Sequence, residues 1–277
     1  MLEALVQAAT AKCVEFNIAA NLNPTRDAPA IMLMSTLRGI TEDLIWLTYL
    51  CQLRDGLGKK LIPLLIQENM AKGIDVQRKF FETNNPLQPV FGSGSTASDS
   101  RMRTEQAKKD VKAFWVAAGR SGAPSVREMA AAVGLDSTYE FIYFATSNFV
   151  HFNPGALLRM GWGETTGPFT FSIENINGYY RNFASFYGAI LFVGFNASFG
   201  QEYFTAEVGS EVKRLIGLVR KIYRWPEVIT FEEMNMPPPM YVMTHALREF
   251  MMSEQGSSIA YAEILMEVQG LGRMSSA

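Results

Sequence analysis

Apolar residues return every three or four positions along most of this chain, the period of a helix that buries one face. Leu2 to Ala20 follows it, and so does Ala28 to Leu53, where Ile31, Met34, Leu37, Leu44, Leu47 and Leu50 mark one side. Between them, Asn23-Pro24 supplies a turn and Asp27-Ala28-Pro29 a cap with proline in the first helical turn. So short a join predicts antiparallel packing. Leu57 to Asn84 predicts a third helix, kinked at Pro63, weakened at Gly73 and ended before Asn84-Asn85-Pro86.

The period then breaks. Residues 86–100, with Gly92-Ser-Gly-Ser-Thr-Ala-Ser at their centre, are small and polar and read as a flexible surface loop rather than a domain linker, because the helices on either side are equally aromatic. Helices resume over Arg101 to Ala118, Ser125 to Val133 and Asp136 to Phe152, the last stopped by Asn153-Pro154-Gly155. Phe169-Thr-Phe-Ser-Ile173 alternates in polarity and predicts at most one short extended segment or hairpin near 168–174. Asn175 to Gln201 and Phe204 to Arg224 are helical, Pro226 to Pro239 is an irregular connection, and two helices near Met240 to Met252 and Ser257 to Gln269 close the chain. The expectation is an all-α, multi-helix bundle forming a single domain over 1–277, with a C-terminal helical extension over 200–277.

Composition narrows the chemistry. A 48% hydrophobic, 19% charged chain of 277 residues with 19 Phe, 10 Tyr, 4 Trp and 15 Met builds a large core and is not disordered. A net charge of −2 argues against a strongly basic nucleic-acid binder. The only cysteines, Cys13 and Cys51, lie in helical patterns, and there are only two histidines, His151 and His245, so neither a disulfide framework nor a Cys- or His-rich metal site is expected. No cofactor is implied. The N-terminus has no basic stretch before an apolar core, which argues against a secretory signal and for the cytoplasm. The longest apolar run, Phe183 to Phe199, is interrupted by Ser185, Asn196, Ser198, Gly188 and Gly194, so it reads as a buried helix and no membrane is expected.

Two motifs are decoys. Ser125-Val-Arg-Glu-Met-Ala-Ala-Ala-Val-Gly-Leu-Asp resembles a helix-turn-helix, but its second helix, Tyr139-Glu-Phe-Ile-Tyr-Phe-Ala-Thr, offers a DNA groove acid and aromatics where it needs cations. Gly92-Ser-Gly-Ser-Thr lacks the lysine and the preceding strand of a phosphate loop.

The sharper signal lies on two helices. Arg38, Glu42 and Asp43 are the only charges between Ala28 and Leu53, and Arg38, Glu42, Trp46 and Tyr49 share one side. Either they form a partly exposed stripe with an ordinary ion pair, or they line a semi-dry groove in which pairing is compulsory. Tyr139, Tyr143, Ser147 and His151 follow one another at four-residue spacing, and His151 falls in the last turn, where the helix dipole and a carboxylate such as Glu42 or Glu140 would favour its protonated form. The alternative is a histidine that only caps its own helix.

These elements in this order, Leu37-Arg38-Gly-Ile-Thr-Glu42-Asp-Leu, Pro124-Ser-Val-Arg-Glu-Met-Ala, and Tyr143 with Ser147-Asn-Phe-Val-His151, resemble a family of uncharacterised bacterial all-helical proteins, a domain of unknown function, over about residues 25–190. The resemblance marks Arg38, Glu42, Tyr143, Ser147 and His151 as candidate ligand-binding residues. It carries no activity. Three functions remain open: a ligand- or partner-binding regulatory module; a ribonuclease toxin or defence protein similar to the higher-eukaryote and prokaryote nucleotide-binding helical superfamily, with His151, Arg38 and Glu42 as catalytic candidates; and a structural, oligomerising subunit using the Met234 to Met243 segment. The ribonuclease pattern wants an arginine four to six residues before the histidine. Neither His151 nor His245 has one, so Arg38 would have to come from another helix.

Overall fold

The computed structural model describes residues 1–21, 29–85, 87–88, 97–161, 171–203, 205–230 and 234. Among these residues the chain is all-α, with nine α-helices and no strand. They are α1 (Leu2–Asn21), α2 (Ala30–Gln52), α3 (Leu57–Asn84), α4 (Ala97–Ala117), α5 (Val126–Ala132), α6 (Asp136–Val150), α7 (Pro154–Arg159), α8 (Glu174–Tyr203) and α9 (Ala206–Val219), with a single 3-10 turn at Arg54–Gly56. Most were legible as amphipathic repeats, and α3 runs unbroken through Pro63.

Three elements differ clearly from the sequence reading. α4 begins at Ala97, so the last residues of the expected 86–100 loop are helical, with Asp99 in the first turn where the helix dipole favours an acid. α7 was missed because Asn153-Pro154 reads as a stop. It is also a start: the Asn153 side chain accepts the Ala156 N–H (3.1 Å) and Pro154 sits where a helix needs no donor. α9 ends at Val219, short of the expected Arg224, and beyond it the Tyr187 and Tyr179 hydroxyls donate to the main-chain carbonyls of Pro226 and Glu227 (2.7 and 2.6 Å). Phe171 and Ser172 of the alternating 169–173 segment are non-helical, with the Ser172 N–H donating to the Met160 carbonyl. Phe169 and Thr170, most of the 86–100 loop and the helices expected near Met240 to Met252 and Ser257 to Gln269 lie outside the described residues.

Residue contacts group the chain, expected as one helical domain, into two compact units. The first takes the described residues of Met1–Glu15, Arg38–Phe144 and Ile190–Leu215. Its core joins Ile45, Tyr49 and Leu50 of α2 to Leu61 and Ile62 of α3, Val111 and Trp115 of α4, and Met129 and Ala130 of α5. Thr104 ties α4 to α3 by donating to the Ala71 carbonyl (3.1 Å). On α3, Asp75 and Arg78 are buried together (3.0 Å), with Lys79 on the other Asp75 oxygen (2.7 Å) and Glu82 on Arg78 (2.7 Å). Pairing of this kind is what permits two charges to be buried, although the Arg78 Nε has no hydrogen-bond partner among the described residues.

The second unit takes the described residues of Phe16–Leu37 and Ala145–Ala189 and those from Ile216 on. Here Phe16, Leu33, Met34, Ile176, Tyr180, Phe183 and Tyr187 are buried, with Phe149 edge-on to Tyr180 at 4.5 Å. Gly188 has no room for a side chain: a Cβ would lie 2.6 Å from the Phe16 ring, and its carbonyl accepts from Asn17 (3.1 Å). By length and composition Glu174–Gly200 of α8 is apolar enough to cross a membrane, at mean hydropathy 1.4. Ile176, Tyr180, Phe183, Tyr187, Leu191, Phe195 and Phe199 nevertheless form a buried stripe at three- and four-residue spacing along it.

Candidate functional site

In the first unit α2 meets α6 through three of the candidate residues. Arg38 and Glu42 are one turn apart, so the Arg38 Nε donates to Glu42 Oε1 at 3.0 Å. The Arg38 guanidinium carbon also lies 4.3 Å from the centre of the Tyr143 ring, and Tyr143 packs on Tyr139 at 5.4 Å. A cation over a ring contributes about 0.5–1 kcal/mol at a partly exposed site, comparable with the ion pair itself. Partial burial works against the Arg38 charge, but the hydrogen bond and the charge of Glu42 outweigh it and hold the guanidinium above the ordinary arginine value. Burial, then the Glu42 carboxylate, pushes the Tyr139 hydroxyl up. The groove's predicted aromatic end behaves differently. Tyr49, although only about 20° from Arg38 around the helix, is buried in the core beside Trp115 (6.4 Å).

Ser147 and His151 belong to the second unit. The Ser147 hydroxyl is buried with no hydrogen-bond partner among the described residues. His151 is exposed just past the end of α6, its backbone N–H donating to the Ser147 carbonyl (3.0 Å). Of its two proposed partners, Glu42 takes Arg38 and Glu140 takes Arg127.

Sequence reasoning missed a second feature of the first unit. α1, α2 and α3 enclose a cleft of about 580 Å³. Its walls are Leu5, Ala8, Ala9, Trp46, Leu47, Leu50, Ile62, Leu65 and Ile66, and its polar residues are Lys12, Asp43 and Asn69. Lys12 reaches over Gly39, where a Cβ would sit 3.3 Å from its Nζ, to meet Asp43 at 2.7 Å. Both remain half-exposed at the cleft's edge. α2 thus presents two ion pairs, Arg38–Glu42 toward α6 and Asp43–Lys12 toward α1. Adjacent acids about 100° apart on one helix serve different neighbours. Asp43 was visible as one of three charges on an apolar helix, but its partner, thirty-one residues away, was not. Among the described residues no group of three or more His, Cys, Asp or Glu could hold a metal.

Fold and site together define an all-α protein with a ligand-sized, mostly apolar cleft edged by an ion pair. A family model described as a family of unknown function (DUF5677) matches residues 27–167, just over half the chain, and the chain belongs to that family. The match covers α2 to α7 and all five candidate residues, while α1, which supplies one wall of the cleft, lies outside it. No curated protein and no solved structure matches the chain.

Proposed function

We propose that the protein is a binding module that takes a largely apolar small molecule into the α1–α2–α3 cleft, with Lys12 and Asp43 orienting the molecule's polar end. The observation that carries this reading is the cleft: its volume of about 580 Å³ falls within the roughly 300–1,000 Å³ of small-molecule sites, and its apolar walls converge on a few polar groups, as such sites do. Arg38, Glu42 and Tyr143 then act as a tie that fixes α2, and with it Asp43 and Trp46, against α6. Arg38, which the ribonuclease alternative would aim at an RNA phosphate, faces Glu42 and Tyr143 instead.

The test uses two fluorescent naphthalene probes, anilinonaphthalene sulfonate and its uncharged phenylnaphthylamine analogue. Both should bind the full chain saturably. Ala8→Trp, at an exposed lining position, should fill the cleft and weaken both by at least about tenfold, the equivalent of 1.4 kcal/mol. Lys12→Met should weaken only the sulfonate. Unchanged binding of both probes by Ala8→Trp would remove the cleft from consideration.

A further inference from the structure

A second surface lies at the far end of the described chain, away in sequence from every residue considered above. From Lys213 to Trp225 the chain reads Lys-Arg-Leu-Ile-Gly-Leu-Val-Arg-Lys-Ile-Tyr-Arg-Trp, five cations and no acid in thirteen residues. Removing those five from the chain's 25 Lys and Arg leaves 20 against 27 Asp and Glu, so the remaining 264 residues carry −7 while this stretch carries +5. All five cations are exposed. Arg214 pairs with Glu211 and Arg224 with Glu227, both at 2.8 Å, whereas Lys213, Arg220 and Lys221 have no carboxylate within ion-pair distance among the described residues.

Several side chains among these cations are apolar or aromatic and exposed. Leu218, Ile222 and Trp225 are each nearly half exposed, and Tyr223 is 104% exposed. The segment is nonetheless held in place. The Trp225 ring packs on Phe186 at 5.2 Å, and Tyr187 and Tyr179 hydrogen-bond the main chain of Pro226 and Glu227 immediately after it. Exposed aromatic and aliphatic side chains among cations on an anchored segment cost solvation unless something covers them.

We infer that residues 218–225, with Arg220, Lys221 and Arg224 as their cations, form a docking surface for an anionic lipid headgroup layer. Phosphate-bearing headgroups match the unpaired cations, and Trp225 and Tyr223 are the side chains that settle at a membrane–water interface. Leu218 and Ile222 decide between a membrane and a nucleic acid. Single-stranded RNA would stack on the aromatics and use the cations, but it offers aliphatic side chains no partner, whereas the acyl boundary does. This is surface binding, separate from the question of whether α8 could span a bilayer.

The full chain is sedimented with phosphatidylcholine vesicles and with vesicles that also contain phosphatidylserine. The protein should pellet with the anionic vesicles and not with the neutral ones, and it should be released when salt shortens the screening length to about 3 Å. Arg220→Gln/Lys221→Gln should lower the partition coefficient about 25-fold, as expected for about 1 kcal/mol per cation. Tyr223→Ser, at an exposed side chain and with its helical content checked by circular dichroism, should lower it several-fold. Equal binding to both vesicles, no binding to either at low salt, or variants that keep vesicle binding while losing affinity for a single-stranded RNA would each overturn the inference.

Discussion

Gly58 begins α3 against the last turn of α2, and a Cβ added there would lie 2.1 Å from the Leu50 carbonyl oxygen and 2.9 Å from its carbon. Backbone cannot yield as a side-chain tip can. Gly73, in the same helix, has nothing within 4 Å of such an atom. Helix propensity alone would have alanine stabilise both by about 1 kcal/mol. The expected outcome is opposite in sign: Gly73→Ala should gain a few tenths to about 1 kcal/mol, while Gly58→Ala should lose about 2 kcal/mol through overpacking, read from urea unfolding midpoints. If the two substitutions shift the midpoint the same way, the close helix crossing is wrong. The sequence marked Gly73 as a weak point and passed over Gly58, because a close approach is a property of two segments. Arg38 shows the same division. Its bond to Glu42 follows from four-residue spacing, but Tyr143 reaches its guanidinium only because α6 packs beside α2.

Among the elements, α5 is short enough that its cap decides its stability. Ser125 accepts the Glu128 N–H at 3.2 Å, and Glu128 accepts both the Ser125 N–H (2.6 Å) and its hydroxyl (2.7 Å). The backbone and then the side-chain hydrogen bonds of Ser125 hold the Glu128 carboxyl below its ordinary value. Ser125→Ala should therefore cost about 1 kcal/mol by urea unfolding. A change within a few tenths would mean the cap is not formed in solution. The pair α5–α6, turned at Gly134 with φ +73°, does have the outline of a helix-turn-helix, yet Phe141 and Phe144 stand exposed on its second helix and Arg127 pairs with Glu140. The local pattern of two helices about a glycine turn was read correctly. α7 was not, because Asn-Pro is compatible with both the end of one helix and the start of the next, and only the Asn153 cap to Ala156 separates the two.

Across the whole molecule, the buried Asp75 is the charge whose titration should be felt globally. Hydrogen bonds from Lys79 and Arg78 lower its carboxyl below the ordinary value of 3.8, against the burial that would raise it. A carboxyl depressed in the folded state adds stability above its unfolded value, and that stability is lost as pH falls through the folded value. Melting temperatures of the parent and of Asp75→Asn should thus differ clearly at neutral pH and converge in acid, below about pH 4. A constant gap at all pH values would assign the loss to packing. The amphipathic period, the caps and the breakers are local properties, so the sequence by itself determined the all-α class, most of the helix spans and the ion pair one turn apart on α2. The cleft, the Lys12–Asp43 pair, the Tyr143 ring over Arg38 and the exposure of Tyr223 depend on which helix faces lie against each other. Only the tertiary structure decides that, because helical spacing says which residues share a face and nothing about what that face meets.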